Sequence, residues 1–327
     1  MQDLLLKIRD LRTSFRIDGD YYAAVDSVDL DIKKNEVFAL VGESGCGKSA
    51  LAMSLTKLHN PNYTRISGLV EFEGKNLLTM TENQLNDIRG LRIGMIFQDP
   101  LTALNPLIRV GAQIEETLTY HTNLNKEEKK TRAIELLTEV GMHSPALTYS
   151  QLPHELSGGM RQRAMIAIAL ACKPDLVIAD EPTTALDVTI QAQILDLLRK
   201  LKSEMDTSII LITHDLGVVA EMATRVAVMY AGQIVEMAPV RDLFKDPRHP
   251  YTRSLLASIP SVGEEMNRLH VIQGIVPELR NLPRTGCRFS HRVPWMSGQL
   301  HQETPTFHEV GENHFVLCSC HKDFKFA

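Results

Sequence analysis

The sequence has little cysteine, no long apolar run and no strong excess of one charge. Its five cysteines are too few and too unevenly spaced for the disulfide framework of a small secreted protein. The longest central apolar run, at 164–172, is far shorter than the ~20 residues that span a bilayer. A net charge of -5 gives no general electrostatic reason to expect nucleic acid as a partner.

The beginning of the chain also lacks the features of a targeting signal. It has no separate basic segment, no long apolar stretch and no cleavage site. The composition is ordinary for a soluble globular protein, with 44% hydrophobic and 23% charged residues. We therefore expect the protein to remain in the cytoplasm and, if it serves a membrane, to do so as a peripheral partner.

Hydrophobic periodicity predicts two kinds of strand. Near the start, Leu6 and Ile8 alternate with charged residues, which is typical of half-buried antiparallel strands. Three later runs, at 37–41, 176–179 and 209–212, are continuously apolar, as expected of strands buried on both faces. A segment of helical character follows each run, and this order predicts a mainly parallel sheet with crossover helices.

Two further regions have different patterns. Residues 99–172 place apolar side chains such as Ala133, Leu136 and Leu137 on one helical face, and no buried strand interrupts them. Prolines are scattered through the chain after Pro239, which is typical of an extension to a regular core. The predicted division is a core at 1–97 and 173–245, a helical subdomain at 98–172 and a C-terminal extension at 246–327.

The strongest motif follows the first buried run. Residues 42–49 read Gly-Glu-Ser-Gly-Cys-Gly-Lys-Ser and fill every fixed position of the phosphate-loop pattern. Glycines let the backbone curl so that several N–H groups point at one anion, and the following helix adds its positive end. Lys48 is predicted to reach the β- and γ-phosphates, and Ser49 to bind Mg²⁺. The predicted nucleotide-binding residues of this loop are Gly42, Ser44, Gly45, Cys46 (a small filler rather than a reactive thiol), Gly47, Lys48 and Ser49.

A second apolar run ends in two carboxylates, Asp180 and Glu181. In open α/β sheets, ligands bind outside the carboxyl ends of the strands. Asp180 is therefore predicted to hold Mg²⁺, and Glu181 to orient or polarise the attacking water. A strand that ends in Asp-Glu is common on its own, so the assignment depends on the presence of Lys48 upstream.

Residues 156–162 read Leu-Ser-Gly-Gly-Met-Arg-Gln and precede a strongly apolar helix. Ser157, Gly158 and Gly159 would form a helix N-terminus that binds an anion, although the serine alone could be a plain N-cap. With this motif the sequence resembles the ATP-binding cassette (ABC) family, in which this signature touches the γ-phosphate held by the opposite subunit. The resemblance implies an α/β phosphate-loop NTPase core with an N-terminal antiparallel β subdomain and an inserted helical subdomain.

The resemblance also implies roles for residues that have no strong signal of their own. Gln98 matches the glutamine that contacts Mg²⁺ and water and senses the transmembrane partner. Asp187 and the two residues before it match the loop that crosses the dimer interface, and His214 matches the histidine at the γ-phosphate. Family members stack an aromatic side chain on adenine. Phe15 is the predicted residue here, with Tyr22 as the alternative.

Beyond Pro239 the resemblance is narrower. Residues 246–260 and 282–289 are similar to the ATPase subunits of oligopeptide and dipeptide importers, a group that also includes nickel and metallophore importers. This similarity implies an ATPase that uses ATP and Mg²⁺ to power import from the cytoplasmic face of the cell membrane. The implied partners are a second ABC ATPase (a paralogue, or a second copy), two transmembrane permease subunits and an extracytoplasmic substrate-binding protein, with no nucleic acid.

One departure from that group concerns the cysteines of the extension. Related importers often carry four, in some cases around an iron–sulfur cluster, whereas only Cys287, Cys318 and Cys320 occur here, and Val293 stands where the usual Arg-Cys-Pro has its cysteine. Three thiolates are one short of the usual set, and we expect no metal. A zinc site would need one of three histidines as the fourth ligand: His291, His301 or His321.

Two other classes of function are less consistent with the sequence. Soluble cassette ATPases of translation or DNA repair usually carry two cassettes or a long coiled-coil insertion, and this chain has neither. A regulatory module without catalysis would lack Glu181 or His214, and both are present. Export is less favoured than import because exporters commonly fuse a membrane segment to the cassette.

Overall fold

Each of the three apolar runs predicted to be buried strands, at 37–41, 176–179 and 209–212, is a strand in the structure. The computed structural model describes residues 4–184, 187–258, 274–293 and 304–321. The strands are β1 (Leu4–Ile17), β2 (Asp20–Lys33), β3 (Val37–Val41), β4 (Thr64–Phe72), β5 (Lys75–Asn76), β6 (Ile93–Ile96), β7 (Leu176–Asp180), β8 (Ser208–Thr213), β9 (Arg225–Tyr230), β10 (Gln233–Pro239), β11 (Phe307–Gly311) and β12 (His314–Leu317). The helices are α1 (Lys48–Leu55), α2 (Glu82–Asn86), α3 (Pro100–Ala103), α4 (Val110–His121), α5 (Lys126–Glu139), α6 (Pro145–Ser150), α7 (Gly158–Leu170), α8 (Val188–Met205), α9 (Leu216–Met222), α10 (Val240–Lys245) and α11 (Pro250–Ala257).

The chain divides into two compact units. The first unit is made mainly of residues 79–212, together with 32–37 and the start of the chain. The second unit contains residues 6–31, 38–78 and the described residues from 213 onward.

The first unit contains a parallel sheet in the order β8-β7-β6. Every residue of β7 and β8 is buried, which explains why both strands read as unbroken apolar runs. Val177 of β7 pairs with Ile209 on one side and with Gly94 on the other. This confirms the predicted parallel sheet.

The predicted helical insertion is also confirmed, since α3 to α7 follow one another between β6 and β7. Asn125 begins α5 with a capping box, in which its side chain accepts the N–H of Glu128 and the Glu128 carboxylate accepts the N–H of Asn125. The helix buries Ala133, Leu136 and Leu137. Each buried leucine contributes about 1.5–3 kcal/mol relative to an exposed one, so this face holds α5 against its neighbours.

The second unit contains two sheets. The N-terminal strands form an antiparallel sheet in the order β2-β1-β4-β5, as the alternating pattern predicted. In the other sheet, strands lie in the order β11-β12-β10-β9-β3, with β3 and β9 parallel and the other pairs antiparallel. Two neighbouring pairs of this sheet, β9–β10 and β11–β12, are antiparallel hairpins.

The C-terminal extension shares a hydrophobic core with β9. Tyr251 of α11 lies against Tyr230 of β9, with ring centroids 4.7 Å apart, and Phe289 meets both rings at 5.1 and 5.5 Å. Val293 is buried in the same core. Nowhere in the part of the chain that the structure describes is a helix both long enough and apolar enough to cross a membrane.

Candidate functional site

The phosphate loop, residues 42–49, connects β3 to α1 and needs glycine at two points of close approach. A Cβ atom at Gly42 would collide with the carbonyl oxygen of Met229, and one at Gly47 would collide with the carbonyl oxygen of Ala24. Gly47 has φ of 109°, a conformation that side chains rarely adopt, and it directly precedes the first residue of α1. The loop is therefore curled tightly against its own unit.

Lys48 is buried inside this curl. Its ammonium donates to the carbonyl oxygens of Gly42 (2.8 Å) and Glu43 (3.0 Å). Ser44 and Gly45, at the tip of the loop, are exposed, and Ser49 is half-buried in the first turn of α1. The loop thus places one cation beside the N-terminus of a helix, an arrangement that attracts phosphate.

Cys46 is an apolar residue of the same loop. It is buried, and burial raises the pKa of its thiol to about 11. A thiol with that pKa is neutral at physiological pH and a poor nucleophile, which agrees with the interpretation of Cys46 as a filler.

The end of β7 carries the two predicted carboxylates. Asp180 is buried as the last residue of the strand. Glu181 follows with φ of 48°, a left-handed conformation that costs on the order of 1–3 kcal/mol in a residue other than glycine. Its N–H donates to the carbonyl oxygen of Ile212 in β8 (2.9 Å), which holds this turn against the sheet.

The structure brings Gln98 and Glu181 together. The Gln98 amide donates to the Glu181 carboxylate at 3.0 Å, and the hydroxyl of Thr184 donates to the same oxygen at 2.8 Å. The two donors fix the orientation of the carboxylate without neutralising its charge. Sequence reasoning missed Thr184, because a threonine three residues after a carboxylate has no signal of its own.

The signature residues lie at the start of α7. The Ser157 hydroxyl accepts the N–H of Met160 (3.3 Å), so this serine is the N-cap of the helix. Gly158 is exposed, with open space where a side chain would lie, and Gly159 is close to Ile190 of α8. The start of α7 therefore presents backbone N–H groups at an open surface.

Two other predicted residues are exposed at helix starts or turns. Asp187 caps α8 by accepting the N–H of Ile190 (3.0 Å), while the two residues before it, Ala185 and Leu186, lie outside the described residues. His214 is exposed in the turn between β8 and α9. Asp215, beside it, caps α9 through the N–H of Gly217 (2.8 Å).

The candidates for adenine stacking are both half-buried. Phe15 meets the His59 ring edge to face, with centroids 5.1 Å apart. Tyr22 has the guanidinium of Arg284 5.9 Å from its ring centre. Neither contact tests stacking on a base, so the choice of Phe15 over Tyr22 stays a prediction.

The cysteines of the extension divide between two apolar clusters. Cys287 is buried beside Val293 in the core around β9, while Cys318 and Cys320 are buried with Val316, their sulfur atoms 3.4 Å apart. The contact with Cys320 and burial raise the pKa of Cys318.

The remaining candidates for a tail metal site are histidines. His291 is exposed, the Nδ1–H of His321 donates to the carbonyl oxygen of Cys318 (2.8 Å), and His301 lies outside the described residues. Within the described ranges, no group of three or more His, Cys, Asp or Glu side chains could hold a metal ion. These residues do not fit an iron–sulfur cluster.

Comparison with known proteins agrees with this geometry. Residues 25–184 match the ABC transporter family, and residues 235–297 match the C-terminal region of oligopeptide/dipeptide transporters. The oligopeptide transport ATP-binding protein OppD of Lactococcus lactis subsp. cremoris is 49% identical over 323 residues, which cover 98% of this chain and 96% of the relative. The chain belongs to the ABC transporter family. Its phosphate loop, Gln98, signature and Glu181 all lie within the matched segment 25–184.

The chain is also similar to a second oligopeptide transport protein and to a solved cassette structure. The oligopeptide transport ATP-binding protein AppD of Bacillus subtilis is 53% identical over 291 residues, covering 89% of this chain and 88% of the relative. Among solved structures, a dimeric ATP-binding cassette in a post-hydrolysis state with ADP and Pi has a TM-score of 0.65 and 28% identity. It covers 72% of this chain and 99% of the cassette, so this ABC protein has the cassette fold plus additional residues.

Proposed function

We propose that this chain is the ATP-binding and ATP-hydrolysing subunit of a membrane transporter that imports oligopeptides or dipeptides. The observation that carries the proposal is the phosphate loop curled around the Lys48 ammonium at the start of α1. Similarity over nearly the whole chain to oligopeptide transport ATP-binding proteins, and the match of residues 235–297, support peptides as the cargo.

In this proposal the phosphate loop and Lys48 bind the phosphates of ATP. Ser49, Gln98 and Asp180 supply hydroxyl, amide and carboxylate oxygens, the donors that Mg²⁺ prefers. When bound, Mg²⁺ would neutralise charge on the phosphate oxygens. His214 would contact the γ-phosphate, and Phe15 would stack on adenine.

Glu181 is the proposed catalytic residue for water. Its carboxylate would accept a hydrogen bond from the attacking water and orient it towards the γ-phosphate. Gln98 and Thr184 both donate to one oxygen of that carboxylate, at 3.0 and 2.8 Å. Because Gln98 also belongs to the region that senses the transmembrane partner in this family, it would link the water-activating group to the permease.

We further propose that two cassettes act together. Ser157, Gly158 and Asp187 are exposed and Gly159 is half-buried, so a second subunit can reach the start of α7 and Asp187. The γ-phosphate would attract the signature of the opposite subunit, and hydrolysis would remove that attraction, which shifts the population from closed to open dimers. A paralogous ABC ATPase is the proposed partner, with two permease subunits and an extracytoplasmic binding protein completing the transporter.

The proposed roles follow the predicted domain boundaries. The core at 1–97 and 173–245 would bind and hydrolyse ATP, the helical subdomain at 98–172 would carry the signature, and the extension at 246–327 would be specific to this type of importer. The protein would act at the cytoplasmic face of the cell membrane, with no nucleic acid partner.

Uptake by cells that lack this chain tests the proposed function. Uptake of a labelled oligopeptide should be lost, and wild-type protein but not Lys48→Ala should restore it. If only nickel uptake were lost, the cargo would be nickel or a metallophore instead of a peptide, and the role of the chain as the ATPase subunit would stand. If neither uptake changed, the importer assignment would be wrong.

For the extension we propose that apolar packing, rather than a metal, holds it in place. Metal analysis of the full chain after aerobic and anaerobic purification tests this directly. Stoichiometric iron or zinc in either preparation would contradict it.

A further inference from the structure

Two side chains of the C-terminal extension contact one residue of the phosphate loop. The phenolic oxygen of Tyr251, in α11, accepts the N–H of Glu43 at 2.7 Å. The guanidinium of Arg292 donates to both oxygens of the Glu43 carboxylate, at 2.6 and 3.2 Å. In the sequence, Tyr251 lies 208 residues after Glu43 and Arg292 lies 249 residues after it.

Glu43 thereby connects the extension to Lys48. Its carbonyl oxygen accepts from the Lys48 ammonium at 3.0 Å, while its N–H and carboxylate are held by Tyr251 and Arg292. All three polar groups of this loop residue are therefore engaged. Two of these contacts come from outside the loop.

The two contacting side chains are themselves rigid. Tyr251 is fully buried between Tyr230 and Phe289, whose ring centroids lie 4.7 and 5.5 Å from its own. The Arg292 side chain is 1% exposed, against 29% for Glu43. Two parallel hydrogen bonds between a buried guanidinium and a carboxylate fix direction as well as distance.

Further hydrogen bonds hold Tyr251 and the residues that precede it. The ring nitrogen Nδ1 of His249 accepts the Tyr251 N–H at 3.0 Å. The buried carboxylate of Glu236, in β10, accepts the N–H groups of Arg248 and His249 (2.7 and 2.9 Å) and contacts His314 of β12 at 2.7 Å. A continuous series of buried hydrogen bonds thus runs from the β11–β12 hairpin through α11 to the phosphate loop.

We propose that Tyr251 and Arg292 are positioning residues for nucleotide binding, and that they act by holding Glu43 in the conformation that presents the phosphate loop to ATP. This rests on the proposed role of the loop in binding ATP. Neither residue touches the nucleotide. Their effect is to keep the loop in its binding-competent state, because an affinity falls in proportion to the fraction of molecules in that state.

The proposal predicts a specific kinetic pattern. If the loop is less often in the binding conformation, the enzyme binds ATP more weakly in the ground state and in the transition state alike. The KM for ATP then rises while kcat changes little. Loss of one net hydrogen bond corresponds to a change of about three- to tenfold in affinity.

Tyr251→Phe is the most direct variant, because it removes only the phenolic oxygen and keeps the stacked ring. Arg292→Lys keeps the charge but not the paired hydrogen bonds, and Arg292→Ala removes both. Arg288→Lys is the matched control: Arg288 is a buried arginine of the same extension that donates to the Ala231 carbonyl oxygen (2.6 Å) and pairs with Asp26 instead of Glu43. ATP affinity is measured on the purified full chain by calorimetric titration, and KM and kcat on the reconstituted transporter.

The expected result is a rise of about three- to tenfold in Kd and KM for Tyr251→Phe and Arg292→Lys, a larger rise for Arg292→Ala, and an unchanged KM for Arg288→Lys. If Tyr251→Phe and Arg292→Lys fold normally and bind ATP as the wild type does, the positioning role is refuted although the proposed function stands. An Arg288→Lys variant with the same rise in KM would show general destabilisation and would also refute it. Failure of the wild-type chain itself to bind ATP would overturn the proposed function and this inference together.

Discussion

At the scale of single residues, Glu181 shows how the carboxylate proposed to be catalytic is placed by its surroundings. Its backbone is in a left-handed conformation, and its N–H is held by the carbonyl oxygen of Ile212. Its carboxylate is held by Gln98 and Thr184. Unfavourable backbone conformations persist where the surrounding structure enforces them, and these contacts are what enforces this one.

Glu181→Gln should abolish hydrolysis without abolishing ATP binding. The amide keeps the size of the side chain, but it is a far weaker acceptor for the proton of the attacking water, so turnover should fall by about 100-fold or more. The ATP-bound closed dimer should then accumulate. Phosphate release and size-exclusion chromatography with ATP measure the two effects, with Lys48→Ala as the control that fails to bind. Normal turnover by Glu181→Gln would refute the assigned role.

At the scale of helices and strands, capping side chains combine stability with function. Ser157 caps α7 and is also the proposed contact to the γ-phosphate of the opposite subunit. Ser157→Asp separates the two roles, because aspartate is an equally good N-cap but its charge repels phosphate. We expect a thermal stability close to that of the wild type and a near-complete loss of ATPase activity.

The comparison variant is Ser157→Ala. It should lower the free energy of unfolding by about 1 kcal/mol, because the Met160 N–H loses its acceptor. Thermal unfolding and ATPase assays are made on both variants. If Ser157→Asp retained full activity, the hydroxyl would be a cap and nothing more.

The start of α11 should make the extension sensitive to acid. Burial lowers the pKa of His249 from 6.5 to about 4, against the opposing effect of the Glu236 carboxylate. Only the neutral ring can accept the Tyr251 N–H at Nδ1. Because the folded pKa is below the unfolded one, the stabilisation is complete above pH 6.5 and is lost as the pH falls towards 4, by up to about 3 kcal/mol.

Urea unfolding followed by circular dichroism between pH 4 and pH 8 measures this loss. His249→Asn is the control, since its side-chain oxygen can accept the same N–H and carries no proton in this range. Its free energy of unfolding should fall less steeply below pH 6.5 than that of the wild type. If the free energy of unfolding fell equally steeply with falling pH in both proteins, groups other than His249 would cause the acid sensitivity.

Most of the elements were predictable because their signals are local. A strand buried on both faces requires an unbroken apolar run, and β3, β7 and β8 each have one. The β11–β12 hairpin lacks such a run, since Phe307, His308 and Glu309 are all exposed. The contacts of Glu43 with Tyr251 and Arg292 had no local signal at all, because they arise only when distant segments pack together.

At the scale of the whole molecule, the exposed apolar side chains of the helical region are a candidate contact for the proposed permease. Leu107 is 87% exposed and Leu101 is 62% exposed, and Ile108 adjoins them in the turn between α3 and α4. Large contiguous apolar patches on a protein surface often mark a contact with another protein or a membrane. This turn closely follows Gln98, so a movement of the permease at this point could reach the Glu181 carboxylate through one hydrogen bond.

Leu107→Asp should therefore uncouple the motor from the membrane subunits. A charge at this position costs little in the free chain, because the side chain is already in water, but it would have to be buried unpaired in the complex. ATP affinity of the purified chain should be unchanged, whereas copurification with permease subunits and peptide uptake should both be lost. Tyr63→Asp, at a side chain 60% exposed in the second unit, is the control and should leave assembly intact. Normal copurification of Leu107→Asp would show that the permease binds elsewhere on the helical region.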